Sequence, residues 1–231
     1  MDKIIQGIRH FQDTVFPKNK ALFQQLASSQ APETLVIACS DSRISLDLLT
    51  QTSPGDLFVC RNAGNLVPPQ GRSNAVSASI EYALNALPIR DIVICGHSDC
   101  GAMKGLLHPK ALRRMPQVKG WLAHAEGALE AFERHGGTAD AHDSVAKVAK
   151  LNVRLQLEHL RTFPSVFARV QEGRLRLHGW FYQIEAGDVS QCQGDGSWIP
   201  LRHPVPYQAP AMATARAGEA LNALMYKSCH P

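Results

Sequence analysis

Two short unbroken apolar runs, Leu35 to Cys39 and Ile92 to Cys95, constrain this chain more than anything else in it. Each is rich in β-branched residues, and polar residues follow at once: Ser40 to Arg43 after the first, His97 to Asp99 shortly after the second. Neither run is long enough for a helix, and neither alternates as a half-exposed strand would. They read as strands buried on both faces, the pattern of a parallel sheet. Parallel neighbours need a crossover. Ser73 to Leu87 supplies one, a helix with Val76, Ile80, Ala83, Leu84 and Leu87 on one side. The expected class is α/β, a central, mainly parallel sheet flanked by helices.

Other elements follow by the same reasoning. A strand over Asp56 to Cys60 comes after the Ser53-Pro-Gly55 turn, and a short helix is expected from Ile44 to Thr50. Helices are expected over Val118–Arg134, Ser144–Leu160 and Pro164–Glu172, and strands over Arg174–Ile184 and Val189–Gln193. Ahead of the first strand, Ile4, Ile8, Phe11 and Val15 form an apolar stripe on a helix that Pro17 should end, and a second helix covers Lys20–Ser28. That arm packs either on a partner or on its own domain. After a Pro-rich stretch, a terminal helix is expected over Ala213–Lys227. A length of 231 residues suits one domain, with residues 1–30 as the arm and 204–231 as a C-terminal extension.

Charge excludes some functions. The 24 basic and 20 acidic residues leave a net charge of +4, with no basic run of the kind that binds nucleic acid. Nothing near the N-terminus resembles a secretory leader, and no stretch approaches the ~18 apolar residues of a membrane span. A cytoplasmic protein with no membrane partner is expected. Its six cysteines then read as metal ligands or buried thiols rather than disulfides.

In open α/β sheets, chemistry sits at the carboxyl ends of the strands. Cys39 ends one strand, and His97 and Cys100 follow another. If those strands are neighbours, the three side chains meet at one edge. Two thiolates and an imidazole suit Zn²⁺, one ion per chain, and a catalytic site keeps its fourth position for water. Asp41 is a candidate fourth ligand. Arg43, two residues on, can grip that carboxylate through two parallel hydrogen bonds and draw it off the metal.

Cys39-Ser-Asp-Ser-Arg43, with His97-Ser-Asp-Cys100-Gly101 after a strand, resembles the paired signature motifs of the β-class carbonic anhydrases. The resemblance runs from about Phe16 to about Ile184. It is nearest to the plant-like, non-allosteric type and to the bacterial enzymes associated with cyanate metabolism. It implies zinc-dependent, reversible hydration of CO2 to bicarbonate and a proton, by attack of zinc-bound hydroxide. It implies Cys39, His97 and Cys100 as metal ligands, Asp41 and Arg43 as catalytic residues, and substrate contacts from Gln30, Phe58, Ala63, Tyr82 and the backbone N–H of Gly101. It also implies a homodimer, or a higher homo-oligomer, built by exchange of N-terminal helices. A second, inhibitory bicarbonate site in one subclass uses a Trp three residues before the first Cys. Val36 stands there, so that site is not expected, although Arg61 and Tyr182 are present.

Taken one by one, the residues permit plainer readings: a structural zinc scaffold, a Cys39–His97 hydrolase, or Phe58 and Tyr82 as core. COS or CS2 could replace CO2 as substrate. Cys60 and Cys95 read as inert buried thiols, and Trp121, Trp180 and Trp198 as packing anchors. The ligand charge also predicts a pH dependence. Two thiolates already neutralise the dication, so its water should ionise less readily than beside three histidines. Stopped-flow CO2 hydration by the zinc-saturated protein should therefore rise between about pH 6 and about pH 9, and a flat profile would contradict this.

Overall fold

The computed structural model describes residues 1–202; the expected terminal helix lies outside the described residues. Contacts divide those residues into two units, 1–31 and 32–202.

The first unit carries α1 (Asp2–His10), a π-helical segment (Phe11–Val15), α2 (Phe16–Lys18) and α3 (Lys20–Leu26). Pro17 does not end the first helix as expected. The wider π turn shifts the hydrogen-bond register just ahead of it, so its missing N–H and its ring are accommodated. The helix ends two residues later at Asn19, whose side-chain amide donates to the Val15 carbonyl (2.9 Å). Phe11, Phe16 and Phe23 cluster, with ring centroids 5.5–6.1 Å apart.

The second unit is the α/β sheet. It contains β1 (Thr34–Cys39), α4 (Leu46–Thr50), β2 (Leu57–Asn62), α5 (Ala75–Ala86), β3 (Asp91–His97), α6 (Gly101–Leu107), α7 (Pro116–Leu122), α8 (Glu126–Arg134), α9 (Ser144–Arg161), α10 (Pro164–Gln171), β4 (Arg176–Gln183), β5 (Asp188–Cys192) and β6 (Trp198–Pro200). The strand order is β2-β1-β3-β4-β5-β6. The first four strands run parallel, and β5 and β6 extend the sheet antiparallel.

β1 and β3 are neighbours, as the meeting of the motifs requires, with Ala38 opposite Cys95. Their side chains alternate between two cores. Leu35, Ile37, Ile92 and Ile94 pack with Ile80, Leu84, Val153 and Leu160 on the face covered by α5 and α9. Val36, Ala38, Val93 and Cys95 point the other way, against Ile44 and Leu46.

Several boundaries differ from the sequence reading because tertiary pairing extends or trims them. β2 runs on through Arg61 and Asn62, which pair with Ala38 and Cys39. β3 runs on through Gly96 and His97, which pair with Phe181 and Tyr182. β4 starts two residues late, because the N–H groups of Arg174 and Leu175 close the end of α10 on the Arg169 carbonyl. The helix expected over Val118–Arg134 is broken by a 3₁₀ turn at Ala123–Ala125, where the His124 carbonyl accepts from Gln156. Among the described residues no helix is long and apolar enough to cross a membrane, and the five cysteines are free.

Helix α9 sets Val153 directly against the strand backbone at two glycines. A Cβ at Gly96 would stand 2.6 Å from one methyl of Val153, and a Cβ at Gly179 would stand 2.8 Å from the other. The expected outcome for Gly96→Ala or Gly179→Ala is a loss of about 1–3 kcal/mol from overpacking. Thermal unfolding read by circular dichroism would detect it; an unchanged Tm would show that α9 can retreat freely.

Candidate metal centre

The parallel pairing of β1 and β3 delivers Cys39 and His97 to one edge. After His97 the chain turns through Ser98 and Asp99, the latter left-handed at φ 56°, and Cys100 begins α6 as its N-cap. Asp tolerates this region better than most residues. The turn folds Cys100 back towards Cys39, leaving the two sulfur atoms 4.0 Å apart. The two sulfurs and one imidazole nitrogen lie within 4.8 Å of one another, and all three residues are buried.

The donor chemistry fits a soft-to-borderline dication. His97 Nδ1 is 2.8 Å from the Ser98 carbonyl, which can only accept, so Nδ1 carries the proton and Nε2 the lone pair. That Nε2 is buried with no hydrogen-bond partner. A buried orphaned imidazole nitrogen facing two thiols is a penalty that a metal removes. The Cys100 thiol lies beside Cys39 and its hydrogen bond holds the Cys39 thiol well below its ordinary value, with burial opposing and the Gly64 N–H (3.4 Å) helping. The same bond raises Cys100, which keeps the shared proton.

Asp41 stands beside this trio without joining it. Its Oδ2 is 4.0 Å from His97 Nε2. Arg43 grips both its carboxylate oxygens: Nε donates to Oδ1 (2.9 Å), Nη2 to Oδ2 (2.8 Å), and the Arg43 backbone N–H to Oδ1 (3.0 Å). The Arg43 guanidinium holds the Asp41 carboxyl far below the usual carboxylate range. Arg43 is itself anchored, since Nη1 donates to Asp99 Oδ2 (3.0 Å) and Nη2 to the Asp99 carbonyl (3.1 Å). Lys104 pairs with the other Asp99 oxygen. Sequence reasoning missed Asp99 and Lys104. The available signal was an Asp inside the His97-to-Cys100 turn with a Lys five residues on, one helical turn into α6.

The loop after β2 closes the site. Ala63 is exposed, and the next residue, Gly64, donates to the Cys39 sulfur. The loop is tied from outside. Trp121 Nε1 donates to the Ala63 carbonyl (2.8 Å), and Asn152 Nδ2 to the Gly64 carbonyl (3.0 Å). Gln156 accepts from the Val67 N–H (2.7 Å) and donates to Asn152 (2.8 Å). Trp121 is thus more than the packing anchor its sequence context suggests. Asn152 and Gln156 gave no sequence signal beyond being polar at helix positions that turn out to be buried.

The remaining candidates fall in three places. Gly101 is the first residue of α6, beside Cys100, with open space where a Cβ would point. Phe58 and Tyr82 lie together, ring centroids 5.7 Å apart. However, Phe58 pairs with Leu35, four residues before Cys39, which places it roughly 13 Å down the sheet from the ligands. Gln30 belongs to the first unit. Val36 is buried and packs in the same core as Tyr182. The Arg61 guanidinium donates to the carbonyls of Cys39 and Asp41 at 2.8–3.1 Å. Burial pushes Cys95 up to about 12, as an inert thiol requires; Cys60 is only half-buried, because β2 is the sheet's edge.

Comparison with known proteins agrees with this geometry. The family model described as carbonic anhydrase matches residues 34–189. A carbonic anhydrase of Pseudomonas aeruginosa is 48% identical over 195 residues, covering 84% of this chain and 88% of the relative. The chain belongs to the β-class carbonic anhydrases. The solved structure of the β-carbonic anhydrase CcaA superimposes with a TM-score of 0.83 at 41% identity, over 87% of this chain and 98% of that one. Tetrameric β-carbonic anhydrases from the ascomycete Sordaria macrospora match with a TM-score of 0.75 at 31% identity, over 82% and 95% of the respective chains. The protein is therefore a zinc enzyme that interconverts CO2 and water with bicarbonate and a proton.

The buried amides behind the loop yield a prediction for this carbonic anhydrase. Gln156→Leu strands the Val67 N–H and the His124 carbonyl, each costing about 1–3 kcal/mol if left unpaired. The variant should unfold at lower temperature and exchange the Val67 amide faster, as hydrogen exchange would show. Unchanged protection at Val67 would mean that the loop is held by other contacts.

Proposed function

We propose that Cys39, His97 and Cys100 are the zinc ligands of this carbonic anhydrase, and that Arg43 keeps Asp41 beside the metal rather than on it. The observation that carries this reading is the buried, unpartnered His97 Nε2 facing the thiol pair, with Asp41 locked on Arg43 4.0 Å away. When bound, zinc supplies a Lewis acid that brings the ionisation of water into the working pH range.

The chain's own residues then divide the rest. Asp41, held ionised by Arg43, can only accept a hydrogen bond, so its Oδ2 would take one from the O–H of the attacking water or hydroxide and turn that oxygen's lone pair towards substrate, without itself becoming protonated. Arg43 fixes Asp41, and Asp99 fixes Arg43. The Gly101 N–H, at the head of α6, and the Gln30 amide supply donors for the oxygens that gain charge as CO2 bends. Ala63 leaves room for a three-atom substrate, and Phe58 and Tyr82 give it an apolar wall.

At roughly 13 Å from its own chain's ligands, the Phe58–Tyr82 pair would serve a site only across a contact between copies. Strongly exposed Ile4, Ile5 and Ile8 on the arm favour the same assembly, and the Sordaria macrospora relatives are tetrameric. We infer a cytoplasmic homodimer or higher homo-oligomer, one domain per chain with residues 1–30 as an exchanged arm.

Asp41→Asn and Gln30→Ala are the decisive variants. Both should retain one zinc per chain by mass spectrometry, and Asp41→Asn should lower kcat/KM by about a hundredfold or more in stopped flow. Loss of zinc in Asp41→Asn would make Asp41 a ligand. Full activity of Gln30→Ala would remove Gln30 from the site.

A further inference from the structure

At the amino ends of β3 and β4, the opposite end of the sheet from the metal ligands, four arginines line one cavity of about 620 Å3: Arg90, Arg169, Arg174 and Arg176. Asp91 to His97 spans six strand steps, so the cavity lies roughly 20 Å from the metal centre. The arginines come from three separate parts of the chain. Arg90 precedes β3, Arg169 is on α10, and Arg174 and Arg176 flank the entry to β4. Their backbone is fixed by hydrogen bonds. The Arg176 N–H donates to the Arg90 carbonyl (2.9 Å), the Arg174 N–H to the Arg169 carbonyl (2.9 Å), and the Arg90 N–H to the Glu33 carbonyl (2.8 Å).

The charge there is not balanced. Arg176 is paired through two parallel bonds with Asp91 (2.7 Å each), which also accepts from His178, and Arg174 is paired with Glu172. Among the described residues, neither Arg90 nor Arg169 has a carboxylate oxygen within 4.0 Å; Arg169, half-buried, reaches only the Asn85 side-chain oxygen at 3.3 Å. Four guanidinium groups face two carboxylates, a surplus of two positive charges in one concavity. Holding like charges together is unfavourable unless an anion joins them. CO2 hydration uses none of these residues.

We propose that this cavity binds a small phosphorylated anion carrying at least two negative charges. Guanidinium forks match phosphate oxygens in pairs, and two uncommitted forks suit a dianion. The surplus is compact and walled by Leu87 and Ile89, and no basic run extends it along the chain as a nucleic-acid backbone would need. Free phosphate and the phosphoryl group of a metabolite share this chemistry.

The test is isothermal titration of the full-length zinc-loaded enzyme with inorganic phosphate, pyrophosphate and glycerol 3-phosphate at constant ionic strength, with zinc content measured afterwards. Saturable 1:1 binding is expected, weakened at least about tenfold in Arg90→Gln/Arg169→Gln, while CO2 hydration without added anion stays unchanged. Preference for glycerol 3-phosphate over inorganic phosphate would identify a metabolite's phosphoryl group as the source, and the reverse would identify free phosphate; either supports the site. If the double variant folds poorly by circular dichroism, the two single variants should each weaken binding measurably. No saturable binding to the wild type overturns the proposal, and so does binding that persists undiminished in the folded variants.

Discussion

Everything in the main unit depends on the parallel pairing of β1 with β3. Each strand is apolar on both faces, so both of its faces must be covered, and cover is most complete for strands flanked on each side by other strands. Burial therefore places them side by side in the middle of the sheet, with helices over one face and the Ile44–Leu46 segment over the other. Parallel direction then brings both carboxyl ends to one edge. Two motifs separated by almost sixty residues become one cluster because the hydrophobic effect leaves that arrangement for the strands that carry them.

The second constraint is polar satisfaction. Burying two thiols and an imidazole leaves His97 Nε2 with nothing to bond. Groups around it are met internally: Ser98 takes His97 Nδ1, Gly64 supports Cys39, and Arg61 takes the Cys39 carbonyl. Among the described residues, the side chains of Asn65 and Trp180 also keep a buried nitrogen without a partner, but the His97 nitrogen is the one that belongs to the cluster with the two sulfurs. Asp41 could have filled that role, but Arg43 offers it three hydrogen bonds, and Asp99 with Lys104 keeps Arg43 in place. A line of alternating charges thus runs from Lys104 to Asp41. In the proposed account it leaves the fourth metal position to solvent.

How far the sequence revealed this differs by residue. The fold class was legible, because continuous β-branched runs and an amphipathic crossover report burial directly. The metal trio and the Asp41–Arg43 pair were legible because their spacing is local or sits at strand ends. What could not be read were contacts made across the fold. Asn152 and Gln156 support the loop from a helix nearly ninety residues away, and Gly96 and Gly179 matter only because Val153 lies between them. Pro17 misled because a π turn ahead of it absorbs the lost hydrogen bond. The Phe58–Tyr82 pair was recognisable as a pair, yet only the strand register reveals how far along the sheet from Cys39 it sits.

The central claim is that Arg43 holds Asp41 away from the metal. A crystal structure of the zinc-loaded protein at alkaline pH tests it directly. The account predicts zinc held by Cys39, His97 and Cys100 with a solvent oxygen in the fourth position, and Asp41 still hydrogen-bonded to Arg43. An Asp41 oxygen on the zinc, with Arg43 turned away, would contradict it.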